Sequence, residues 1–318
     1  MAFDALVSKK TGALALIAAA GMTLTPIPAD ARPAAPTGRQ TEAPARQSPS
    51  GLSALAWMVA DADTGRVLAS KNSHRKLAPA STLKTLFAVT VLPKFSANRV
   101  RQVSAADLSG LGAGSSVVGV HQGSSYTVAD LWRGVFLRSG NDAVHVLAAM
   151  NGGWSTTARE MQQTANRLGA RDTTVKSPDG YDTPGQVSSA FDLTVFARAG
   201  LANEEFARYC STVRAKFPAT GGAAVQIENT NRLLAGSHGM ARYPGIIGVK
   251  NGYTSKAGNT LIAAARRNGH TLIATVLNPQ SGALNGVYKE ASTLLDWGFN
   301  RVTHAEPVGR TGPTDEGS

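Results

Sequence analysis

The sequence predicts a mixed α/β (α+β) fold in which an antiparallel sheet is flanked by helices and carries an inserted all-helical lobe. Two observations support this prediction. Strand patterns occur near the start of the hydrophobic region and again near its end, and the segments between them have helical spacing. Because strands from both ends must meet in one sheet, the helical middle forms an insertion. The cleft between sheet and lobe is the expected position of a functional site.

The individual elements follow in chain order. Residues 54–61 and 66–70 contain β-branched and aromatic side chains around the turn-forming string Asp63-Thr64-Gly65, which indicates a hairpin. A helix is expected to begin near Ser81, because Pro79 precedes a run of apolar side chains at helical spacing. The later helices are predicted at 128–137, 142–150, 156–168, 191–201 and 286–299, and the later strands at 245–249, 259–265 and 271–277.

The ends of the chain have a different composition from its middle. Residues 1–31 are typical of an export signal peptide, with a basic start, an apolar run and small residues before an expected cleavage after Ala31. An uncleaved membrane anchor is the alternative, although the apolar run is shorter than the ~20 residues that a spanning helix needs. Residues 32–50 are a Pro/Ala-rich disordered leader, 51–300 the main domain, and 301–318 a polar disordered tail. With no second anchor expected, the protein is predicted to be secreted or associated with the cell wall.

Charge and cysteine content narrow the choice of partners. The formal net charge is +11, which for an exported protein favours anionic wall polymers or lipid headgroups as partners. Nucleic acid is not expected, because the basic residues are scattered and no basic run with interleaved aromatic residues occurs.

The one cysteine, Cys210, excludes an internal disulfide and is interpreted as a buried thiol. We expect no metal and no cofactor, since no cluster has metal-ligand spacing.

Three short strings carry the candidate chemistry: Ser81-Thr82-Leu83-Lys84, Ser139-Gly140-Asn141 and Lys250-Asn251-Gly252. A hydroxyl nucleophile needs a base to take its proton. The three-residue spacing of Ser81 and Lys84 at a helix start places both side chains on one face, so the amine can reach the hydroxyl. The pair is therefore a candidate nucleophile and base.

Each string alone also has a purely structural interpretation. Ser81 could be a helix N-cap, Asn141 a helix cap, and Lys250-Asn251-Gly252 a hairpin turn. The string Ser73-His74-Arg75-Lys76 repeats the first spacing, but it lies in a polar run that is better interpreted as a solvated loop. The order of the three strings and their surroundings favour the catalytic interpretation.

These residues resemble the low-molecular-mass penicillin-binding proteins that are serine D-alanyl-D-alanine carboxypeptidases, within the penicillin-recognising serine enzymes that include β-lactamases. The likeness covers nearly all of residues 51–300 and implies a β-lactamase/transpeptidase-like fold. It rests on the three strings with their flanking residues and also on Pro178-Asp179-Gly180, Pro184-Gly185-Gln186, Asn229-Thr230-Asn231 and the segment 294–299.

The resemblance implies a role for each residue of the first two strings. Ser81 would attack the carbonyl between two terminal D-alanines of a wall peptide and form an acyl-enzyme that water hydrolyses. Lys84 would be the base, and Ser139 would relay a proton to the leaving amine. Asn141 would hold Lys84 and the substrate amide, and Lys250 would supply a positive field. β-Lactam antibiotics would be covalent inhibitors.

The remaining substrate-binding residues lie in the third string and just after it. By resemblance, the backbone N–H groups of Ser81 and Tyr253 would stabilise the oxyanion, and Gly252 would let the substrate backbone lie close to the strand. The usual hydroxyl in the middle of the third string is replaced by Asn251, so the Asn251 amide or Thr254 would have to receive the substrate carboxylate.

Two further positions depart from the family pattern. Arginines that some relatives carry near the final helix and in the Asn-x-Asn string are Val287 and Thr230 here. Recognition of the carboxylate is therefore the part of the site that the sequence defines least.

Two alternative functions remain open from the sequence. A class A-like serine β-lactamase needs a deacylating glutamate on a loop between the second and third strings. The glutamates there are Glu160, Glu204, Glu205 and Glu228, and each falls in a helix-like or strand-like stretch. A non-catalytic wall-binding relative is expected to have lost Ser81, Lys84 or Asn141, and all three are present.

Overall fold

The computed structural model describes residues 49–301 and 309–311. The predicted signal peptide, nearly all of the predicted leader and most of the predicted tail lie outside these residues.

The described helices and strands largely match the predicted order. The strands are β1 (Ala54–Asp61), β2 (Arg66–Lys71), β3 (Val100–Gln102), β4 (Ser125–Thr127), β5 (Arg214–Pro218), β6 (Ala224–Glu228), β7 (Ile246–Thr254), β8 (Gly258–Arg267), β9 (His270–Pro279) and β10 (Gly309–Arg310). The α-helices are α1 (Lys84–Val91), α2 (Val128–Arg138), α3 (Asn141–Met150), α4 (Trp154–Arg167), α5 (Ala190–Leu201), α6 (Glu204–Ser211), α7 (Arg232–Ala235) and α8 (Gly286–Arg301).

The main sheet joins the two ends of the domain, as predicted. Among the described residues it has six strands in the order β10-β2-β1-β9-β8-β7, and each pair is antiparallel. The first strand pairs with a late strand, with Trp57 opposite Val276. Strand β7 lies at one edge, which leaves its outer side open toward the helical lobe.

The sheet is buried on both faces. Side chains of β1 alternate between two cores: Met58 packs with the helical lobe, while Trp57 and Val59 pack with α8. Burial on both faces makes the central strands almost continuously apolar.

Helix α1 lies in the centre of the lobe. Its residues Leu86, Phe87, Ala88 and Val91 are fully buried, and a 3₁₀ turn at Ala80–Leu83 precedes it. Since helical packing encloses α1 on all sides, the turn at its start has a fixed position against the edge of the sheet.

The largest difference from prediction concerns β7. Residues 245–249 were predicted as the strand, but β7 continues to Thr254, and the turn falls at residues 255–257. The hairpin-turn interpretation of Lys250-Asn251-Gly252 is therefore wrong. Pairing of these residues with β8, including Asn251 opposite Leu261, outweighs the local turn preference of Asn-Gly.

Several short elements were not predicted from the sequence. The hairpins β3–β4 and β5–β6 have strands of five residues or fewer with little alternation, and α6 and α7 are short helices. In the predicted disordered tail, β10 pairs with β2, and Thr311 is buried against Gly65 with its N–H donating to the Gly65 carbonyl over 2.8 Å. Tertiary pairing orders residues that have no apolar pattern of their own.

Within the part of the chain that the structure describes, no helix has the length and apolar character needed to cross a membrane.

The core around α1 gives a stability prediction. The Phe87 ring is fully buried, with its centroid 5.3 Å from that of Trp132. Phe87→Ala should lower the free energy of unfolding by about 3–5 kcal/mol, because it removes apolar contacts and leaves a cavity. Chemical denaturation monitored by circular dichroism measures this change.

The matched control is Val100→Ala, at a side chain that is 59% exposed. It should change the free energy of unfolding by no more than about 0.5 kcal/mol. Equal destabilisation by the two substitutions would contradict the position assigned to α1.

Candidate active site

Ser81 and Lys84 meet as their spacing predicted. The Lys84 ammonium Nζ donates a hydrogen bond to Ser81 Oγ over 2.7 Å and a second to the Asp179 carbonyl oxygen over 2.7 Å. The N-cap of the 3₁₀ turn is Pro79, and no side chain caps it. The interpretation of Ser81 as a helix N-cap is therefore wrong, and its hydroxyl faces the lysine.

Burial changes the acidity of Lys84. Its side chain is 1% exposed, and this desolvation lowers its pKa to about 8, although Asp179 and Asp142 partly oppose the change. A lysine with this pKa is neutral in about one molecule in ten at pH 7. Lys84 can therefore accept a proton at neutral pH.

The loop that contains Asp179 and Gly180 packs against the turn at Ser81. Gly180 has φ +81°, and a Cβ atom there would lie 2.0 Å from the Ala80 carbonyl oxygen, so only glycine fits. The Asp179 carboxylate accepts from Ser177 Oγ and from the Tyr181 N–H, and Gln186 donates to the Tyr181 carbonyl. This network fixes the carbonyl that receives the Lys84 ammonium.

The second string lies between α2 and α3, as predicted. Ser139 ends α2 in the left-handed region at φ 57°, and Gly140 rather than Asn141 is the N-cap of α3. The helix-cap interpretation of Asn141 is therefore wrong. Ser139 Oγ and Asn141 Oδ1 are buried and have no hydrogen-bond partner among the described residues. Asn141 also lines the cavity that contains Ser81, whereas Ser139 is buried and is not among its lining residues.

Asn141 does not contact Lys84 in the expected way. Its Nδ2 donates to Ser115 Oγ over 3.0 Å, while the described hydrogen bonds of Lys84 go to Ser81 and Asp179. The difference arises because a loop not singled out in the sequence supplies Ser115.

That loop is held by Asp142, a residue for which the sequence predicted no role. The Asp142 carboxylate is 3% exposed and accepts hydrogen bonds from the N–H groups of Val118, Gly119 and Val120. An acidic side chain directly after the Ser-Gly-Asn string, together with the Gly/Ser-rich composition of residues 109–116, was the available signal. Asp142 thus positions one wall of the cleft.

Strand β7 approaches the nucleophile turn very closely. A Cβ atom at Gly252 would lie 2.7 Å from the Ser81 backbone nitrogen and 2.8 Å from Thr260 Oγ1. By resemblance, this glycine was expected to make room for the substrate backbone. In the structure, a side chain at this position would collide with the backbone of Ser81. The backbone edge of β7 and the Ser81 N–H therefore border the same space.

Lys250 is buried beside this contact. Its side chain is 1% exposed, and its Nζ donates to the Asn251 carbonyl over 2.8 Å. Burial, with the nearby Lys84 charge as a second cause, holds the Lys250 pKa well below its ordinary value. Two buried amines next to each other favour states in which at least one is neutral.

The residues proposed for carboxylate recognition have partners of their own. Thr230 Oγ1 donates to Asn251 Oδ1 over 3.0 Å, so two of the positions expected by resemblance to carry other residues contact each other. Thr254 Oγ1 donates to Asp182 Oδ1 over 2.7 Å, which engages the proton that a carboxylate would need. Val287 and Asn251 line the same cavity.

Two cavities lie along β7 and its following turn, and both are lined by Tyr253. The smaller has a volume of about 270 Å³ and is lined by Ser81, Asn141, Asp182, Thr254 and neighbouring loop residues. The larger, about 850 Å³, contains Asn251, Thr230, Arg138 and Arg232. Tyr253 is 67% exposed between them. The cleft between sheet and lobe therefore brings all three strings together.

The other singled-out residues are separate from the cleft. Ser73 is buried, contrary to the predicted solvated loop, but Lys76 is exposed. The Ser-x-x-Lys spacing at Ser73 therefore lacks a buried amine of the kind that Lys84 provides for Ser81. Cys210 is fully buried and its Sγ donates to the Ile247 carbonyl; burial raises the pKa of this thiol, as expected for a structural cysteine. Among the described residues no group of metal-ligating side chains occurs.

Comparison with known proteins identifies the class of fold. A D-alanyl-D-alanine carboxypeptidase crystal structure from Mycobacterium tuberculosis H37Rv superposes with a TM-score of 0.75 at 37% identity, covering 83% of this chain and 97% of that one. The Streptomyces K15 DD-transpeptidase superposes with a TM-score of 0.72 at 27% identity, covering 80% of this chain and 99% of that one. The fold is that of the penicillin-recognising transpeptidases.

Sequence comparison gives the family. A profile of the D-alanyl-D-alanine carboxypeptidase family matches residues 42–281. The D-alanyl-D-alanine carboxypeptidase DacB2 of Mycobacterium tuberculosis is 39% identical over 249 residues, which is 77% of this chain and 82% of DacB2. The chain belongs to the D-alanyl-D-alanine carboxypeptidase family and is a serine-type peptidase.

The close approach of β7 gives a prediction that separates site geometry from stability. Gly252→Ala should slow covalent labelling by a fluorescent penicillin about 100-fold, because the new methyl group displaces β7 from the Ser81 turn by a fraction of an ångström or more. Stopped-flow labelling rates and the Tm should both be measured.

Gly286→Ala is the control, since a Cβ atom there meets its neighbours at 3.4 Å or more. It should keep the wild-type labelling rate. An unchanged labelling rate in Gly252→Ala would show that the contact between β7 and Ser81 is not needed.

Proposed function

We propose that the domain over residues 51–300 removes the terminal D-alanine from peptidoglycan stem peptides through an acyl-enzyme on Ser81. The observation that carries this proposal is the 2.7 Å hydrogen bond between Ser81 Oγ and a buried Lys84 whose pKa is lowered to about 8. A hydroxyl becomes a nucleophile when a neutral amine beside it takes its proton.

Acylation begins with proton transfer from Ser81 Oγ to neutral Lys84 Nζ. The oxygen forms a bond to the carbonyl carbon between the two D-alanines, and the carbonyl oxygen becomes an oxyanion. The proposed donors to it are the backbone N–H groups of Ser81 and Tyr253. The close packing of β7 against the Ser81 turn, where a Cβ atom added to Gly252 would lie 2.7 Å from the Ser81 nitrogen, supports this position.

Collapse of the oxyanion expels the terminal D-alanine as its amine. This nitrogen takes the proton that Lys84 removed from Ser81, and Ser139 is the proposed relay between them because its buried Oγ has no partner among the described residues. Asn141 Oδ1 is likewise without a described partner and is proposed to accept from the substrate amide. Lys250 beside them supplies the positive field, and water then hydrolyses the ester.

The terminal carboxylate is proposed to lie along Lys250 and Asn251 at the larger groove. Asn251 Oδ1 accepts from Thr230, so its Nδ2 group, which lies near the Tyr288 hydroxyl, is the donating end. Thr254 is proposed to contact the substrate backbone rather than this carboxylate, because its hydroxyl proton is engaged by Asp182.

The β-lactamase alternative lacks its base. Glu160 lies in α4 and binds Lys94, Glu204 and Glu205 begin α6, and Glu228 ends β6. None of these glutamates lines the cavity that contains Ser81. Among the described residues no glutamate is therefore placed there for fast deacylation, and a penicillin is expected to remain attached as an inhibitor. Retention of Ser81, Lys84 and Asn141 in one cleft also argues against a non-catalytic wall-binding role.

The family acts on peptidoglycan, so its action is extracytoplasmic. We further propose that the protein is secreted or associated with the cell wall and that its net charge of +11 supports contact with anionic wall polymers.

The nucleophile is tested by Ser81→Ala. This variant should show no labelling by a fluorescent penicillin and no release of D-alanine from diacetyl-Lys-D-Ala-D-Ala, because the acyl bond has no acceptor oxygen. Gel fluorescence and a D-alanine assay measure the two activities, and circular dichroism checks the fold.

Ser73→Ala is the matched control, since Ser73 precedes an exposed lysine at the same spacing. It should retain both activities. Labelling that persists in Ser81→Ala would exclude Ser81 as the nucleophile.

The base is tested by pH. Lys84 is protonated below its pKa of about 8, so the acylation rate should rise nearly tenfold per unit as the pH increases toward 8 and then level off. Lys84→Arg should lower the rate by several orders of magnitude, since arginine keeps its proton at these pH values. A flat wild-type profile between pH 5 and 8 would be incompatible with Lys84 as the base.

A further inference from the structure

The two ends of the cleft carry different charged groups. The larger groove is lined by Arg138 and Arg232, with Glu228 as its acidic residue. Glu228 already pairs with Arg214 over 3.0 Å. The smaller cavity, which contains Ser81, has Asp182 as its one ionisable acidic or basic lining residue among the described ones. The cleft therefore changes from basic to acidic along β7.

Two hydrogen bonds hold the Asp182 carboxylate in the wall of the smaller cavity. Its Oδ1 accepts from Thr254 Oγ1 over 2.7 Å, and its Oδ2 accepts from the Lys256 N–H over 3.1 Å. On the same loop, the Tyr181 hydroxyl donates to the Ala113 carbonyl over 2.8 Å, which closes the wall of the cavity. A carboxylate has about four acceptor positions, so two remain for a ligand.

The charges fix the direction of a bound stem peptide. Its terminal carboxylate is attracted to the groove with Arg138 and Arg232 and repelled by Asp182. The residues before the scissile bond then extend past Tyr253 toward Thr254 and Asp182. Neighbouring Cα atoms are about 3.8 Å apart, so the residue before D-Ala-D-Ala enters the smaller cavity.

We propose that Asp182 is a specificity-determining residue that binds a side-chain ammonium on the residue preceding D-Ala-D-Ala. The ligand class is thus a stem peptide with a diamino acid whose side-chain amine is free. This inference rests on the proposed function, because it needs the scissile bond at Ser81. A lysine-type side chain is long and flexible enough to bring its ammonium to a carboxylate in the same 270 Å³ cavity.

A purely structural role for Asp182 makes a different prediction. If its carboxylate only ties the 178–186 loop to the end of β7, then its loss affects all peptides alike. If it binds an ammonium, then its loss affects only peptides that carry a free amine. Two substrates that differ in that amine alone therefore separate the two roles.

The experiment compares kcat/KM for two tripeptides, Nα-acetyl-Lys-D-Ala-D-Ala with a free side-chain amine and its Nε-acetylated form. The wild-type enzyme should prefer the free amine about 10-fold, as expected for a charge-assisted hydrogen bond at a partly exposed site. Asp182→Asn keeps the size of the side chain, removes its charge and replaces one acceptor oxygen with a donor, and it should abolish the preference. Asp182→Glu should retain most of it.

Glu228→Gln is the matched control, because it removes one negative charge at the other end of the cleft. It should keep the wild-type preference. Equal loss of activity toward both tripeptides in Asp182→Asn, with a lowered Tm, would overturn the inference in favour of the loop contact. An unchanged preference in Asp182→Asn would also overturn it. Failure of the wild-type enzyme to release D-alanine from either tripeptide would instead contradict the proposed function.

Discussion

The hydrogen bond between the Lys84 ammonium and the Ser81 hydroxyl depends on the burial of a charged side chain in the centre of the domain. An amine in water has a pKa far above neutrality, so it cannot act as a base there. Helical packing around α1 excludes water from Lys84 and lowers its pKa to about 8, while the Asp179 carbonyl satisfies one of its protons. The rest of the site is arranged around this buried amine.

Three separate parts of the chain line the cavity that contains Ser81, and a particular residue holds each of them in place. Gly180 allows the loop of Asp179 to contact the Ala80 carbonyl, and Gly252 allows β7 to contact the Ser81 nitrogen. Asp142 fastens the loop that supplies Ser115 to the start of α3. Because the six-stranded sheet and the helical lobe each contribute one wall, the cleft forms only when the two packed layers meet.

Asn251 and Thr230, two of the positions at which the sequence differs from the pattern expected by resemblance, bond to each other in the larger groove. Substitutions at contacting positions are coupled, since a new partner satisfies the polar group that a single change would leave unpaired. Asp182, at the opposite end, bonds to Thr254 in the same way and leaves acceptor positions open.

The sequence by itself determined the fold class, the order of most elements and the contact between Ser81 and Lys84. That contact is local, since a three-residue helical spacing brings two side chains together regardless of the remaining chain. Only the tertiary structure decided that Lys250-Asn251-Gly252 continues a strand, that Gly252 faces Ser81, and that residues 309–311 join the sheet. These features depend on pairing with distant residues, for which local composition carries no signal. Asp142 and Asp182 also take their positions from residues that are distant in the sequence, although the string next to Asp142 offered a local signal for that residue.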